Sequence, residues 1–343
     1  MNTNPEADRR TEPELPASEI ASYVVAAAVW APSVHNTQPW WFSPARQAIC
    51  VHADAGRQLM TADPSGREML ISCGAALFTV RLALRSLGYI PESRVLPDPA
   101  QPLLIAEVCW QQRATVTEYE QRLFEQVRRR RTHRGGFDPL PLSANLLDAL
   151  RKGADRDGAA LQIVTGEGRK AALGSLVEAA ERSQRLNPRY VRELAQWATP
   201  PGVVRPDGIP PTAYPARAER TEPDFPSRDF AHGRGWGQAP VSWAHGRLAG
   251  VVTLLTTAGD ERSDWVNAGQ ALQRLLLFGT SFGVTAAIHS QPLEIGWLRQ
   301  ALRAQVADGS YPQLMLRLGA AIQTGESPRR APEDVIRPQG WHG

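Results

Sequence analysis

The chain has 343 residues, of which 42% are hydrophobic and 21% charged, and a formal net charge of +3. This length suits two domains, one large domain or a duplicated one, and the ordinary composition argues against a disordered or fibrous chain. The charge is too small to indicate nucleic-acid binding. No apolar run reaches the roughly 18–20 residues of a membrane span, and the polar N-terminus lacks a signal-peptide core. We therefore expect a cytoplasmic protein with no nucleic-acid or membrane partner.

Residues that bind metals or form disulfides show no recognisable spacing. Cys50, Cys73 and Cys109 lie far apart without a C-x-x-C motif, which argues against a disulfide framework and a thiolate zinc site. The seven histidines show neither H-x-x-x-H nor H-E-x-x-H spacing, so no metal is predicted. Lys152 and Lys170 are the only lysines among 38 basic residues. A GC-rich genome accounts for that bias, but any anion site must then be built from arginine.

The first part of the chain predicts helices and strands after an N-terminal arm, residues 1–16, that is expected to be disordered. Ser18 is expected to cap the first helix, which ends before Pro32. Apolar periodicity and β-branched runs give the other elements. The predicted elements are helices over 19–30, 65–89 and 117–131 and strands over 47–54 and 101–110.

After Pro139 and Pro141 the pattern begins again. The predicted elements here are helices over 143–154, 168–184, 265–282 and 295–306 and strands over 161–165, 248–257, 283–290 and 312–321. Each part has a long apolar helix followed by glycine and a strand, ISCGAALFTVRLALRSLGY and VNAGQALQRLLLFGTSFG. We infer an α+β fold with a divergent internal duplication, whose halves span residues 17–127 and 128–343.

Residues 187–240 break the pattern, with ten prolines and little periodicity. A disordered linker is one interpretation. Six aromatic residues favour an ordered lid or binding loop instead, because linkers are poor in aromatics. These residues are Tyr190, Trp197, Tyr214, Phe225, Phe230 and Trp236.

Two short motifs lack the structural context that their usual functions require. GTSFG matches the G-x-S-x-G nucleophile elbow, but it follows a predicted helix and precedes a strand, the reverse of the required order. Ser281 is therefore expected to be a helix-terminus residue. GEGRKA, residues 166–171, matches G-x-G-x-x-A, but no second strand with an acidic end follows it. Its glycines are expected to shape a tight turn.

Two other segments point to a ligand. The loop APSVHNTQPW, residues 31–40, is pinned by two prolines and presents Ser33, Asn36 and Gln38 to a planar, hydrogen-bonding molecule. The run RRRRTHRGGF, residues 128–137, combines arginines with a threonine hydroxyl and suits a phosphate. A solvated helix C-terminus is the alternative interpretation of the arginine run, since cations are favourable there.

Together these segments resemble the FMN-dependent nitroreductase family. APSVHNTQPW is similar to its A-P-S-x-x-N-x-Q-P-W loop, RRTHRGGF to its phosphate segment, SQPLE to its P-x-E turn and SPRRAPEDVI to its C-terminal arginine segment. The similarity spans about residues 17–336. Here the loop precedes the arginines by about a hundred residues, an order that resembles the family's long, duplicated, Acg-like branch. The resemblance implies a nitroreductase-like fold, two pseudo-repeats forming a fused dimer with a proline-rich lid and one flavin per chain.

The resemblance also implies roles for individual residues. The ribityl phosphate would be held by Arg130, Arg131, Thr132 and Arg330, with Arg134 beside flavin N1 and O2. The ring system would be packed and hydrogen-bonded by Pro32, Ser33, Asn36 and Gln38. The turn Ser290–Glu294, which includes Gln291, would offer the main-chain N–H of Glu294 to flavin N5. Arg317 is expected to form a structural ion pair.

The resemblance implies an FMN enzyme in which NAD(P)H reduces a nitro, quinone or other conjugated acceptor, with no catalytic side chain. The partner would be a small-molecule electron acceptor, and the protein would be a monomer built as a pseudo-dimer, or a homodimer. Two alternatives stay open. One is a non-enzymatic protein that sequesters FMN under a closed lid, and the other is a flavin-dependent oxidase or tailoring enzyme of a biosynthetic pathway.

Overall fold

A computed structural model describes residues 15–216, 220–222, 224–238, 248–321 and 327–338, so most of the predicted N-terminal arm lies outside the described residues. The helices of this part of the chain, in order, are α1 Ala17–Ala28, α2 Arg67–Ser86, α3 Glu118–Glu125, α4 Ala144–Asp155, α5 Glu167–Arg185, α6 Pro188–Trp197, α7 Arg262–Thr280, α8 Gly296–Gln305 and α9 Pro332–Val335. The strands are β1 Trp40–Ala45, β2 Ala48–Ala53, β3 Tyr89–Val95, β4 Leu104–Arg113, β5 Ala160–Ile163, β6 Val251–Thr257, β7 Val284–Ile288 and β8 Tyr311–Ala320.

The strands form two antiparallel sheets with the same topology. The first has the order β1-β2-β4-β3 and the second the order β5-β6-β8-β7. Helix, two strands, long helix and two strands follow one another in both parts of the chain. The predicted α+β class and internal duplication are therefore confirmed. The predicted boundary at residues 127/128 falls between the two repeats and stays a prediction.

Helices α2 and α7 cross at the centre of the molecule, where the repeats meet. A methyl group added at Gly74 would lie 2.1 Å from the main-chain oxygen of Val266, and one added at Gly269 would lie 2.0 Å from that of Ile71. Each glycine is the eighth residue of its helix, and each clash falls on the residue three positions before the other glycine. The contact is therefore reciprocal, as in a two-fold dimer interface.

Gly74 and Gly269 align the two repeats at an offset of 195 residues, and this alignment continues beyond the ends of α2 and α7. Gly88 follows α2 and Gly283 follows α7, and both adopt the left-handed conformation, with φ of 82° and 72°. Glycine is the residue that ends helices in this way without strain. The next residue begins β3 in one repeat and β7 in the other. The two glycines thus mark equivalent helix ends.

Several predicted elements need correction. β1 and β3 were missed because WWFSPA and YIPESRV contain proline and lack a clear alternation. The helix predicted over 117–131 ends at Glu125, because the arginine run leaves it and Thr132 bridges to Ala286 of β7. Helix α1 begins at Ala17, so Ser18 lies inside it rather than capping it.

The long insertion between β5 and β6 is ordered over most of its length. Asn187 accepts hydrogen bonds from the main-chain N–H groups of Arg189 and Tyr190 and so caps α6, a helix that the sequence analysis missed inside the proline-rich segment. Five of the six aromatic residues predicted to order this segment pack, fully or partly buried, in one cluster with residues of the first repeat. That cluster contains Leu59, Ala62, Tyr190, Leu194, Tyr214 and Phe230, with Trp197 and Trp236 at its edge. Phe225 is instead buried in a core cluster of the second repeat.

Helix α2 has the length and apolar composition of a membrane span. In the fold, most of its residues are buried, and it packs on α7 and under the first sheet. An apolar helix at the centre of a globular core has this composition for that reason.

Ser281 and Gly166 occupy the predicted places. Ser281 is the C-cap of α7, and Gly166, with φ of 84°, turns the chain into α5.

Candidate functional site

A cavity of about 900 Å³, including its mouth, lies between the two repeats. The first repeat contributes the loop Pro32–His35 and the start of α2, and the second contributes residues 132–134, the end of β7 and residues of β8. The insertion covers it with Ile209, Ser227, Arg228 and Phe230.

The loop that follows α1 forms one wall of the cavity under backbone strain. His35, Asn36 and Gln38 all adopt positive φ, between 47° and 55°, which non-glycine residues rarely do. Such strain is maintained only where surrounding contacts fix the backbone. Here Ser33 Oγ accepts from the Gln38 main-chain N–H at 2.9 Å, and Ser72 Oγ accepts from that of Val34 at 3.3 Å.

Asn36, Gln38 and Arg330 lie beside the cavity rather than in its lining. Asn36 Nδ2 donates to the carbonyl oxygens of Gly208 and Pro328, both at 3.0 Å. Gln38 Nε2 donates to the Pro206 oxygen at 2.9 Å, and Gln38 Oε1 accepts from the Arg330 main-chain N–H at 2.9 Å. These buried polar groups therefore tie the loop to the insertion and to the C-terminal segment.

An arginine cluster adjoins the cavity, formed by Arg130, Arg131, Arg134 and Arg329. Burial, reinforced by the neighbouring arginines, lowers the pKa of Arg130 to about 10 and holds that of Arg329 well below its usual range. Among the described residues, no carboxylate contacts Arg130, Arg134 or Arg329. Arg131 and Arg329 also lie over the Trp30 ring, at 5.5 and 5.4 Å from its centroid. Like charges gathered in this way require an anion.

Arg330 stands apart from that cluster. Its guanidinium donates to the main-chain oxygens of Gln38, Trp40 and Asp334 and lies 4.0 Å from Asp54. The sequence analysis assigned the phosphate contact to Arg330, but it is the guanidinium of Arg329 that lies with the other arginines. The two residues are adjacent, so their opposite orientations could not be read from the motif.

The turn after β7 forms the opposite wall of the cavity. Ser290 and Gln291 line it, whereas Glu294 lies behind them. The main-chain N–H of Glu294 donates to the Ser290 carbonyl oxygen at 3.1 Å, so this N–H, expected to face the flavin, is engaged within its own turn. The Glu294 carboxylate accepts from Ser290 Oγ and from Arg228 Nη2, both at 2.7 Å.

Arg228 brings a buried cation from the insertion into this turn. Its Nη1 lies 2.8 Å from His35 Nε2. Because arginine has only donors, His35 must accept at Nε2 and is therefore neutral. Burial and the nearby arginines hold the pKa of His35 well below its usual range, in agreement with this. Burial alone would lower the pKa of Arg228, but Glu294, Tyr190 and Glu181 together outweigh it and raise that pKa.

The structural ion pair predicted for Arg317 is wrong, because Arg317 forms no ion pair with a described residue. Its guanidinium donates to His289 Nε2 at 2.8 Å and to the carbonyl oxygens of Ala249 and Gly135. Arg317 is 1% exposed and lines the cavity, and burial lowers its pKa to about 10. Three arginines, Arg134, Arg228 and Arg317, thus lie in the cavity wall.

Buried polar atoms without a partner among the described residues cluster at this site. In the cavity lining they are Glu68 Oε2, His289 Nδ1 and Gln291 Oε1, and in the arginine cluster Arg130 Nε and Arg329 Nε. Unsatisfied buried groups are costly and rare in folded proteins. At the cavity and the arginine cluster, these atoms are available to a polar ligand.

Half of the twelve predicted site residues line the cavity: Pro32, Ser33, Thr132, Arg134, Ser290 and Gln291. Arg130 and Arg131 adjoin it, and the rest support the walls. The sequence analysis missed Glu68, Arg228, His289 and Arg329. SPRR was the one signal for Arg329, and the others have no local motif, because the fold alone brings them to the cavity.

Comparison with known proteins identifies the family of this chain. "Putative NAD(P)H nitroreductase Rv3131" of Mycobacterium tuberculosis is 32% identical over 327 residues, which cover 94% of this chain and 92% of the relative. The chain belongs to this family of NAD(P)H nitroreductases. "Putative NAD(P)H nitroreductase acg" of the same organism is 27% identical over 326 residues, 94% of this chain and 96% of that protein. The predicted family and its long branch are thereby confirmed.

Three further matches add no conclusion about this chain. "Uncharacterized protein Rv3127" of Mycobacterium tuberculosis is 31% identical over 322 residues, 91% of each chain. A crystal structure of a putative nitroreductase from Anabaena variabilis matches 90% of each chain at 12% identity, with a TM-score of 0.48. NfnB from Sphigopyxis matches 64% of this chain and 99% of its own at 20% identity and a TM-score of 0.39. No protein-family model matches the sequence.

Proposed function

We propose that this protein binds one FMN between its two repeats and uses it for NAD(P)H-dependent reduction of small conjugated acceptors, such as nitro compounds and quinones. The arginine cluster at the edge of a partly apolar cavity is the observation that carries the proposal. FMN has a phosphate at one end and a planar, hydrogen-bonding ring system at the other, so it matches both parts. Family membership supports the same assignment, since relatives carry the name NAD(P)H nitroreductase.

The residues present fit FMN in charge and in hydrogen-bonding capacity. Arg130, Arg131 and Arg329, with the Thr132 hydroxyl, would hold the phosphate. Each charge-assisted hydrogen bond contributes on the order of 1.5–3 kcal/mol, so two or three of them, with ring packing, give about micromolar affinity or tighter. The unpartnered atoms of His289 and Gln291 in the cavity wall would meet polar edges of the ring system.

The protein supplies binding, orientation and charge to the reaction. Bound FMN supplies hydride and electron transfer, which no side chain of the chain can perform. Arg134 and Arg317, which have no carboxylate partner among the described residues, and Arg228, which is paired with Glu294, place three cations in the cavity wall and so favour a more negatively charged occupant. His35 and His289 are neutral hydrogen-bonding groups there, because each accepts from an arginine. The insertion covers one face of the cavity with Ile209, Ser227, Arg228 and Phe230.

Sequestration of FMN is the second candidate, favoured by how firmly the insertion is held. Arg228 bonds His35 and Glu294, Arg57 bonds Asp207 at 2.9 Å, and the Glu193 carboxylate accepts from the main-chain N–H groups of Thr61 and Ala62. A cover tied down at three places opens slowly if these contacts must break together.

Anaerobic stopped-flow spectroscopy tests the function. The FMN-loaded protein is mixed with NADH or NADPH, and the flavin absorbance is followed. Saturable bleaching, followed by reoxidation with a nitro compound or quinone, is the expected result. A flavin that stays oxidised with both nucleotides would favour sequestration. Mass spectrometry of the released chromophore must give FMN, and FAD would overturn the cofactor assignment.

A further inference from the structure

Glu68 is the sole carboxyl group among the described residues that line the cavity. It lies in the first turn of α2 and is 4% exposed. One of its oxygens, Oε1, accepts from Arg67 Nη2 at 3.0 Å. The other, Oε2, is buried and has no hydrogen-bond partner among the described residues. The side chain is therefore held by one oxygen while the second is unused.

The surroundings of Glu68 disfavour the ionised form of its carboxyl group. Burial and the Glu294 carboxylate, with a smaller contribution from Asp63, outweigh Arg67 and Arg228, so the pKa of Glu68 stands well above its usual range. Arg67 is also shared, because its guanidinium donates to the Gln313 main-chain oxygen at 2.7 Å. Because Oε1 accepts from Arg67, the proton of the neutral acid belongs on Oε2.

Other lining groups are poor proton donors. His35 and His289 are neutral imidazoles, burial lowers the pKa of the third lining histidine, His133, and the arginines keep their protons. Water has limited access, because Ile209, Arg228 and Phe230 of the insertion cover this side. The second repeat has no equivalent acid: the residue that corresponds to Glu68 by the 195-residue offset is Ser263, which is exposed.

From these observations we propose that Glu68 is the proton donor for acceptors reduced in this cavity, an inference that rests on the proposed function. A quinone that accepts a hydride, which is two electrons and one proton, from anionic reduced FMN becomes a hydroquinone monoanion. The Glu68 O–H bond then breaks, and a new O–H bond forms on the quinone oxygen. The products are neutral hydroquinone, oxidised FMN and the Glu68 carboxylate, which regains its proton from water when the insertion opens.

Glu68→Gln separates this role from a structural one. FMN-loaded protein is photoreduced without oxygen or NAD(P)H and then mixed with either benzoquinone or ferricyanide, which accepts single electrons and needs no proton. General-acid catalysis contributes about 10²–10⁴-fold, so we expect E68Q to slow reoxidation by benzoquinone about a hundredfold. Reoxidation by ferricyanide should not change. Glu118→Gln, at an exposed site on α3, is the matched control and should affect neither rate.

A readout independent of turnover completes the test. The infrared spectrum of the apoprotein at neutral pH should contain the carbonyl stretch of a protonated carboxylic acid that is missing in E68Q. Glu68→Asp keeps an acid and should recover part of the benzoquinone rate. Equal slowing with both acceptors, an unchanged benzoquinone rate or an unchanged carbonyl band would overturn the proposal. If the wild type binds no FMN or reacts with neither acceptor, it is the proposed function that fails, and the infrared band still tests Glu68.

Discussion

At the scale of single residues, the decisive feature is where a guanidinium points. Arg329 and Arg330 are adjacent in SPRR, yet Arg329 joins the arginine cluster, and Arg330 binds main-chain oxygens of the 31–40 loop. A motif gives residue types and spacing but not side-chain direction. The sequence could therefore predict a phosphate site made of arginines, but not which of these two arginines it uses.

Arg329→Gln tests that assignment. Losing one charge-assisted contact, worth about 1.5–3 kcal/mol, should weaken FMN binding by roughly ten- to a hundredfold. Riboflavin, which lacks the phosphate, should bind the variant and the wild type equally, and it serves as the internal control in a fluorescence titration. If both ligands lose affinity to the same degree, Arg329 supports the cavity and does not bind the phosphate.

His52 provides a pH-dependent prediction away from the site. It stacks on Trp41 with ring centroids 3.7 Å apart, and burial lowers its pKa to about 4 from an ordinary 6.5. The folded state therefore binds this proton less readily, so stability is complete above pH 6.5 and falls as the pH drops towards 4. Since the ring is only half-buried, we expect a loss of about 1–2 kcal/mol across that window. Urea unfolding of wild type and His52→Phe should differ in slope there, and parallel profiles would contradict it.

At the scale of elements, the crossing of α2 and α7 depends on two glycines. The sequence predicted both helices and the repeat, because their apolar period and following glycine are local signals. It could not predict β1, β3 or the end of α3, which depend on pairing with neighbouring strands. The proline-rich segment was recognised as unusual, but α6 within it was hidden by the surrounding prolines.

Gly74→Ala and Gly269→Ala should destabilise the protein to a similar degree. Each added methyl group would press on a main-chain oxygen at about 2 Å, and overpacking of this kind costs about 1–3 kcal/mol or more. Gly168→Ala, near the start of α5 with no atom within 4 Å of the added methyl group, is the matched control. It should be neutral or stabilising by up to about 1 kcal/mol in urea unfolding. Equal effects at all three sites would contradict the close helix crossing.

Arg228 is expected to control how long FMN stays bound. Breaking its buried pair with Glu294 removes a contact whose loss costs about 3–5 kcal/mol, and the insertion should open more often. Arg228→Met should therefore raise the FMN dissociation rate tenfold or more in a dilution experiment. Arg220→Gln removes an exposed pair with Glu178 from the same insertion and should have little effect. An unchanged rate in the Arg228 variant would mean that this contact does not hold the insertion closed.

At the scale of the whole molecule, we expect the duplication to have kept one site. Ile71 and Leu272 line the cavity, and their counterparts by the 195-residue offset, Val266 and Leu77, are fully buried in the core of the first repeat. These two equivalent positions therefore belong to packed core. The order of motifs in the sequence implies one site, and this stays a prediction.

Titration of the apoprotein with FMN tests the central claim most directly. Flavin fluorescence and isothermal calorimetry, with protein concentration determined by amino-acid analysis, give the number of sites per chain. The account predicts saturation at one FMN per chain with a single affinity, and a loss of that affinity in Arg329→Gln. Two equivalent FMN sites per chain, or no saturable binding, would contradict it.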